Sequence, residues 1–297
     1  MTERARLIGF AKATFSVAVW GASFIATKVA LKEVSPITVV WVRFAIGVLI
    51  LGAAVTFRRE FSVPPLKELG YFSLIGFIGI TFHQWLQSNG LVTAQASTTA
   101  WIVATAPIFI AILGWIFLKE HLSWSQIFGI ALATIGVLLV VSRGDLNSIF
   151  KGSFGTRGDL LILISAPNWA IFSVLSRKGL KEHPASTLMF YVMTTGWLFS
   201  IPLFFAGSGW SEITQLTISG WTAISFLGIF CSGLAYIYWF DALKIIPASQ
   251  VGALLYVEPL IAVIVAAVIL SESITLGVLF GGAITLLGVW MVTRNEI

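Results

Sequence analysis

Residues 124–142 read WSQIFGIALATIGVLLVVS, and residues 276–294 read LGVLFGGAITLLGVWMVTR. Each run is apolar along its whole length and lacks the period-2 alternation of a strand, which is typical of an α-helix that crosses a bilayer. At an offset of 152 residues the two runs share the pairs Phe128/Phe280, Gly129/Gly281, Gly136/Gly288, Val137/Val289 and Val140/Val292. These two stretches therefore predict membrane helices and an internal repeat.

The composition excludes most soluble classes of protein. Of the 297 residues, 58% are hydrophobic and 10% are charged, with a mean hydropathy of +0.95. Soluble domains carry about 25% charged residues, so a cytosolic enzyme and a disordered chain are both excluded. The single cysteine, Cys231, excludes a disulfide framework and a cysteine-based zinc site. No nucleic-acid partner is expected, because the net charge of +5 fits the basic cytoplasmic edges of a membrane protein.

Apolar runs bounded by charges or turn residues predict an all-α integral membrane protein with ten transmembrane helices. The predicted spans are 8–31, 37–57, 69–91, 95–118, 124–142, 158–178, 186–206, 219–243, 248–270 and 275–293. Ser123 and Thr275 are expected to cap the helices that follow them.

The distribution of Lys and Arg predicts that both termini are cytoplasmic. With that orientation the inner side holds most of the 18 basic residues, namely Arg4, Arg6, Lys12, Arg58, Arg59, Lys67, Lys119, Arg177, Lys178, Lys181, Lys244 and Arg294. The loop 143–157 is a local exception, since it is basic and lies outside.

The internal repeat is five helices long. Pro107 matches Pro259 and Glu120 matches Glu272 at the same offset of 152, and Trp20 matches Trp169 at an offset of 149. An odd number of spans reverses the topology of the second copy, so we expect two inverted five-helix repeats. Their predicted bounds are 1–142 and 158–297, joined by a loop at 143–157. Inverted repeats are common in secondary transporters, with the substrate site between the halves.

Three motifs resemble a known family. They are residues 20–28 (WGASFIATK), Pro36 followed by Arg43, and residues 117–123 (FLKEHLS) ahead of Gly129 and Gly136. Together they are similar to the drug/metabolite transporter superfamily, specifically its EamA-type members with two tandem repeats. The resemblance implies a ten-helix importer or exporter of the inner membrane that uses no ATP and carries amino acids, other metabolites or drugs. It also implies that Arg43 is shared by many members, which favours an architectural role for this residue.

Glu258 is the strongest single candidate for substrate binding. It lies near the middle of the ninth predicted span beside Pro259. An ionisable group at that depth costs about 3 kcal/mol on insertion scales, and such groups usually serve function. We expect it to bind a substrate ammonium or to carry a coupling proton. The alternatives are a structural ion pair, with Arg43 or Lys28 as the partner, and a hydrogen bond to backbone freed by Pro259.

A polar run ends the third span and predicts a cavity wall. His83 and Gln87 share one helix face, while Gln84 lies beside them. Polar side chains on a spanning helix face protein or a watery cavity. Arg43 lies inside the second span and can meet a substrate carboxylate or backbone carbonyls. Interhelical hydrogen bonding is the alternative for this polar set.

Aromatic residues inside the spans predict a stacking surface for an apolar or cationic substrate. The set comprises Trp20, Trp101, Trp169, Tyr236, Trp239 and Tyr256. Core packing is the alternative for each residue taken alone.

Pro107 and Pro259 each remove a backbone hydrogen bond and predict a kink that can act as a hinge, with a static bend as the alternative. Several other features are interpreted as structural. The small-residue faces around Gly129 and Gly281 are expected to lock the fifth and tenth spans, within the bundle or at a dimer contact. Asp241 is expected to pair with Lys244 three residues on. Glu120 and Glu272 lie in tight connections on opposite faces and are read as structural.

These observations favour a secondary active transporter of small metabolites, such as aromatic or cationic amino acids or drugs, working as an exporter by alternating access. The alternatives are a passive channel and a membrane-embedded enzyme. The sequence has no nucleotide-binding or hydrolase motif and no metal-ligand spacing, so no enzymatic activity, cofactor or metal is expected. The expected partners are the small-molecule substrate, the bilayer and a coupled proton. A monomer and a homodimer both remain open.

Overall fold

A computed structural model describes residues 3–118, 123–145, 147, 155–246, 251 and 254–293. Within these ranges the chain forms helices and no strand. The first five long helical segments are α1 (Glu3–Ala30), α2 (Pro36–Phe57), α3 (Leu66–Thr93), α4 (Ala96–Val103 and Ala106–Leu118) and α5 (Trp124–Val141). The next five are α6 (Arg157–Glu182), α7 (Ala185–Ala206), α8 (Ile218–Ile245), α9 (Leu255–Ile269) and α10 (Leu276–Thr293).

Among the described residues, eight helices are long and apolar enough to cross a membrane by length and composition. They are α1 to α8, while α9 and α10 are shorter apolar helices. A short helix, Gly209–Gln215, lies in the connection between α7 and α8, between the seventh and eighth predicted spans. Helix α1 begins at Glu3 rather than residue 8, because helical hydrogen bonding continues through its charged first turns. Hydropathy marks only the apolar part of such a helix.

Two caps follow the predicted pattern. The Ser123 side chain accepts a hydrogen bond from the backbone of Gln126, and the Gln126 side chain bonds back in a capping box. Thr275 Oγ1 accepts from the backbone of Val278 at 3.2 Å. Both predictions are confirmed, so α5 and α10 begin where side-chain oxygens satisfy free backbone N–H groups.

Helices α5 and α10 pack against each other within the bundle through their glycines. A Cβ atom on Gly129 would lie 2.7 Å from the carbonyl oxygen of Gly288, and one on Gly136 would lie 2.7 Å from that of Gly281. Only glycine permits backbones to approach this closely. The small-residue faces thus serve the contact within the bundle, which was one of the two predicted uses.

Helices α4 and α9 are interrupted at equivalent points of the predicted repeat. Helix α4 breaks at residues 104–105, directly before the segment that begins Ala106-Pro107. Helix α9 starts with a 3₁₀ turn, Leu255–Val257, before the α-helical segment that begins Glu258-Pro259. Each proline is the second residue of its segment, where its missing N–H breaks no intrahelical bond. The helices are interrupted where the prolines predicted, but the expectation that each proline removes a helical hydrogen bond was wrong, because each lies in the first turn of its segment. Hinge motion stays a prediction.

Helices α3 and α8 each contain a π-helical segment, which the sequence pattern does not predict. These segments are Phe77–Phe82 and Leu227–Leu234, and they too lie at corresponding positions of the predicted repeat. A π turn widens the helix and re-aims the side chains that follow it, and such turns are frequent at functional sites.

Candidate functional site

Arg43 of α2 is buried with polar rather than acidic partners. Its side chain is 6% exposed. Its Nε donates to Ser232 Oγ at 3.1 Å, and its Nη1 donates to Gln84 Oε1 at 3.2 Å. Among the described residues no carboxylate lies within ion-pair distance of this guanidinium. A guanidinium has five N–H donors, so it retains the capacity to bind an anionic ligand.

The two π-helical segments place the partners of Arg43. Ser232 lies within Leu227–Leu234 of α8, and Gln84 is the second residue after Phe77–Phe82 of α3. Sequence reasoning identified Gln84 but missed Ser232. The available signal was a hydroxyl within an apolar span, because such groups seek a polar partner.

His83 and Trp169 extend this polar group toward α6. Their ring centroids lie 5.0 Å apart. His83 is buried, and its Nδ1 has no hydrogen-bond partner among the described residues. Gln87 lies one turn beyond His83 on α3 and is half-buried. Of the predicted polar residues of α3, Gln84 therefore contacts Arg43 directly. His83 lies next to Gln84 in the chain.

Trp20, Tyr236 and Trp239 form an aromatic group between α1 and α8. The Trp20 ring meets Tyr236 edge-on at 5.6 Å and lies 5.2 Å from Trp239. Trp20 Nε1 donates to the carbonyl oxygen of Cys231 at 3.0 Å, and Cys231 Sγ donates to that of Val19 at 3.2 Å. These reciprocal bonds hold the Trp20 region of α1 against the π-helical segment of α8.

Glu258, at the start of the α-helical segment of α9, lies beside Gly21 of α1. A Cβ atom on Gly21 would be 2.7 Å from the carbonyl oxygen of Glu258, so Gly21 lets α1 contact the start of the α9 segment. Glu258 is half-buried. Arg43 bonds to Ser232, which follows Cys231 in α8, and Cys231 accepts a hydrogen bond from Trp20, which precedes Gly21 in α1. The regions of Arg43 and Glu258 are thus connected through α8 and α1.

The described residues supply no ion pair for Glu258. Arg43 is bonded to Ser232 and Gln84, and Lys28 Nζ donates to the carbonyl oxygen of Ala94 at 2.5 Å. The two expected partners are thus engaged elsewhere. Among the described residues, no side chain forms an ion pair or a hydrogen bond with the Glu258 carboxylate.

Trp101 and Tyr256 are not brought to the Arg43 group. Trp101 is 2% exposed and packs on Gly282 of α10, in a cluster with Val140, Val263 and Val278. Tyr256 packs at the edge of a separate apolar cluster that includes Ile108 and Val289. The structure therefore favours core packing for Trp101, the alternative that the sequence left open.

Asp241 forms a network that differs from the predicted pair with Lys244. Asp241 accepts from Lys12 Nζ at 2.8 Å and from both terminal nitrogens of Arg58 at 2.7 and 2.9 Å. Lys244 instead lies 3.7 Å from Glu60. The prediction was wrong because the buried Asp241 faces α1 and the end of α2, where a bidentate guanidinium is the better partner. This network joins the ends of α1, α2 and α8.

At the opposite ends of these helices, carboxylates cap the N-termini of neighbouring helices. Glu33 accepts from the backbone N and Oγ1 of Thr217 at 2.8 and 2.7 Å, and these bonds lower the pKa of its carboxyl. Glu212 accepts from the backbone N and Oγ of Ser35, both at 2.8 Å. Both carboxylates are also stabilised by the helix dipoles that they face.

Glu272 forms a third such cap. It accepts from the backbone N of Ala96 at 2.9 Å and from the backbone N of Ser97 at 3.2 Å. It thereby caps α4, in line with its predicted structural role. Its repeat mate Glu120 lies outside the described residues.

Comparison with known proteins identifies the family to which the sequence is similar. The model of the EamA-like transporter family matches residues 7–142 and 156–294. An uncharacterised transporter of Archaeoglobus fulgidus is 30% identical, with 94% of each chain covered. An uncharacterised transporter of Bacillus subtilis, YdfC, is 30% identical, with 92% of this chain and 87% of the relative covered.

Two further comparisons concern a named exporter and the fold. A probable terminal-alkyne amino-acid exporter of Streptantibioticus cattleyicolor is 27% identical, with 95% of this chain and 92% of the relative covered. A solved crystal structure is similar with a TM-score of 0.66 and 19% identity, covering 99% of this chain and 98% of that one. This structural likeness concerns the fold alone.

The motifs, the apolar helices and the relatives agree on a multi-pass membrane protein with a transport role. The resemblance drawn from residues 20–28, Arg43 and residues 117–123 is confirmed, since the family match runs through all of them. The chain belongs to the EamA-like transporter family.

Proposed function

We propose that this chain is a secondary active transporter that exports small zwitterionic metabolites, with amino acids as the substrate class. The observation that carries the proposal is that Arg43 and Glu258, two opposite charges inside the membrane helices, have no charged partner among the described residues. Buried charges normally pair with one another or with a ligand. A zwitterion supplies a partner for each.

Each end of an amino acid fits one of these charges. The N–H groups of Arg43 not used by Ser232 and Gln84 are suited to a carboxylate, and the bonds to those two residues fix the plane of the guanidinium. The Glu258 carboxylate is suited to an ammonium group. Trp20, Trp169 and Tyr236 offer aromatic faces for the apolar side chain.

The proposed cycle is alternating access. The interrupted helices α4 and α9, with Pro107 and Pro259, serve as hinges, and the Asp241 network closes one end of the pathway. Protonation of Glu258 neutralises its charge and releases the ammonium group, so one proton exchanges for one substrate.

The proposed topology completes this cycle. We place ten spans in two inverted repeats, 1–142 and 158–297, in the inner membrane with both termini cytoplasmic. The Asp241 network is then at the cytoplasmic side, and the caps made by Glu33, Glu212 and Glu272 are at the outer side. The named amino-acid exporter among the relatives supports the substrate class and the direction of transport.

The test uses the purified chain in proteoliposomes. Radiolabelled L-phenylalanine, L-leucine and L-lysine are offered with and without a pH gradient, and the matching amines and carboxylic acids compete with each. We expect saturable uptake of at least one amino acid, and at least tenfold weaker competition by analogues that lack either charged group.

Two variants test which end of the substrate each charged residue binds. Arg43→Gln should remove the preference for the carboxylate, and Glu258→Gln the preference for the ammonium group. Lys32→Gln, at an exposed position, is the matched control. Equal competition by the amine, the acid and the amino acid would contradict the zwitterion site, and turnover of the solute without its movement would indicate an enzyme.

A further inference from the structure

Glu68, Glu182 and His183 come together where α3 begins and α6 ends. One ligand-type atom from each residue lies within 4.8 Å of the others. Glu68 is in the first turn of α3, Glu182 is the last residue of α6, and His183 follows directly. Sequence spacing predicts no metal site here, because Glu68 is distant in the chain from the other two. The fold creates the cluster.

The contact between Glu68 and His183 does not have the form of a hydrogen bond. Glu68 Oε2 and His183 Nε2 are 3.1 Å apart. Nevertheless, Glu68 Oε2 is a buried atom with no hydrogen-bond partner among the described residues. The ring N–H is therefore not directed at the oxygen. Two ligands of one cation have this geometry, because each points at the ion and not at the other ligand. Tetrahedral zinc with bonds of 2.0–2.2 Å places its ligand atoms about 3.3 Å apart.

The surroundings hold these two ligands in place. Tyr71 Oη donates to the carbonyl oxygen of Leu175 at 2.7 Å and accepts from the backbone N of Gly179 at 3.0 Å, which fixes α3 against α6. The Phe72 ring meets the His183 ring edge-on at 5.4 Å and orients it. A site built on packed helices keeps its geometry before the ion arrives.

Glu182 supplies the third ligand. A carboxylate at a helix C-terminus faces the negative end of the helix dipole, and here a second carboxylate lies nearby. A cation at this point offsets both the repulsion between the two carboxylates and the unfavourable interaction of Glu182 with the helix dipole. The Glu182 side chain is exposed, so it can rotate toward the ion without repacking the bundle.

We propose that Glu68, Glu182 and His183 bind a divalent transition-metal ion of the zinc type, with water completing the coordination. An imidazole with carboxylates suits Zn²⁺, whereas Mg²⁺ prefers oxygen ligands in octahedral geometry. The bound ion bridges the ends of α3 and α6. The site is separate from Arg43 and Glu258, and its existence does not depend on the proposed substrate.

The test is isothermal titration of the full-length chain in detergent with ZnCl₂, after removal of metal by a chelator. We expect one Zn²⁺ per chain, no binding of Mg²⁺, and a higher melting temperature with Zn²⁺. Glu68→Gln and His183→Asn should each weaken binding at least tenfold, and Glu182→Gln should weaken it less. Glu3→Gln, a carboxylate change at the start of α1, should leave binding unchanged.

A further variant separates a metal site from an ion pair. His183→Cys keeps a zinc ligand but cannot form a cation for Glu68, so the proposal expects it to retain Zn²⁺ binding. Loss of binding in His183→Cys, wild-type binding no tighter than that of His183→Asn, or equal weakening by Glu3→Gln would each overturn the proposal.

Discussion

Arg43 and Glu258 do not form an ion pair with each other. Polar side chains position Arg43, and a close backbone contact positions Glu258. Arg43 depends on one hydroxyl and one amide, and Glu258 depends on a glycine that lets α1 approach its carbonyl. An ion pair between them would satisfy both charges and leave little to attract a substrate. Their separation keeps both available, which is the condition for binding a zwitterion.

At the residue scale, Glu258→Gln tests the proton-coupling role. The amide keeps the shape of the protonated acid but cannot ionise. We expect the variant to fold and reach the membrane. Its rate of uptake driven by a pH gradient should fall at least tenfold, while exchange of internal for external substrate is retained. The measurement is uptake in proteoliposomes with and without the gradient. Wild-type rates with unchanged pH dependence would leave Glu258 as a structural residue.

Gly21→Ala tests the contact that positions Glu258. Its new Cβ would lie 2.7 Å from the carbonyl oxygen of Glu258, so α1 and α9 must separate. Such overpacking costs about 1–3 kcal/mol, and we expect both a lower melting temperature and reduced uptake. Gly70→Ala is the matched control, because a Cβ there meets nothing within 4 Å and alanine is the better helix former. Equal behaviour of the two variants would refute the close contact.

At the scale of elements, the regular parts of the helices were predictable and their irregular turns were not. Apolar runs marked the helices, and Pro107 and Pro259 marked the interruptions of α4 and α9. The π turns of α3 and α8 carry no comparable signature, since a π turn reflects how neighbouring helices pack. As a result Gln84 was identified as a candidate, whereas its connection through Arg43 to Ser232 was not.

Asp241→Asn tests the network that joins α1, α2 and α8. The variant loses the charge that holds Lys12 and Arg58, and hydrogen bonds to charged groups contribute about 1.5–3 kcal/mol, less here because both cations are partly exposed. We expect the end of the bundle at Asp241 to open more often. A cysteine introduced at Ser232, in a Cys231→Ser background, should react faster with a reagent applied from that side.

Lys244→Gln is the control for this network. Its ion pair with Glu60 is longer and its side chain is 52% exposed, so its loss should change the labelling rate little. An unchanged rate in Asp241→Asn, or an equal increase in Lys244→Gln, would speak against a latch at Asp241.

At the scale of the whole molecule, the distribution of Lys and Arg predicts that both termini are cytoplasmic and that the loop 143–157 is outside. Single cysteines at positions 2 and 296 should resist an impermeant reagent applied outside intact cells, while Asp145→Cys should react. The background is Cys231→Ser, which removes the natural cysteine. External labelling at position 2 or 296 would reverse the orientation.

Whole-molecule packing also shows where sequence reasoning stops. The matched glycines predicted that α5 and α10 contact each other or a second chain, and only the assembled bundle shows the first. Trp101 and Trp20 look alike in sequence, as aromatic residues within spans. Their neighbours differ, because Gly282 makes room for the Trp101 ring in the core, whereas Trp20 donates to the carbonyl oxygen of Cys231, which precedes the Arg43 partner Ser232.

Counterflow tests the central claim of alternating access most directly. Proteoliposomes are loaded with an unlabelled amino acid, and the same amino acid is added outside at trace concentration with a radiolabel, without any pH gradient. A transporter whose site faces one side at a time exchanges inside for outside molecules, so we predict a transient accumulation of label that requires the internal load. Entry of label at the same rate with and without the load, with no transient accumulation, would contradict alternating access and indicate a channel.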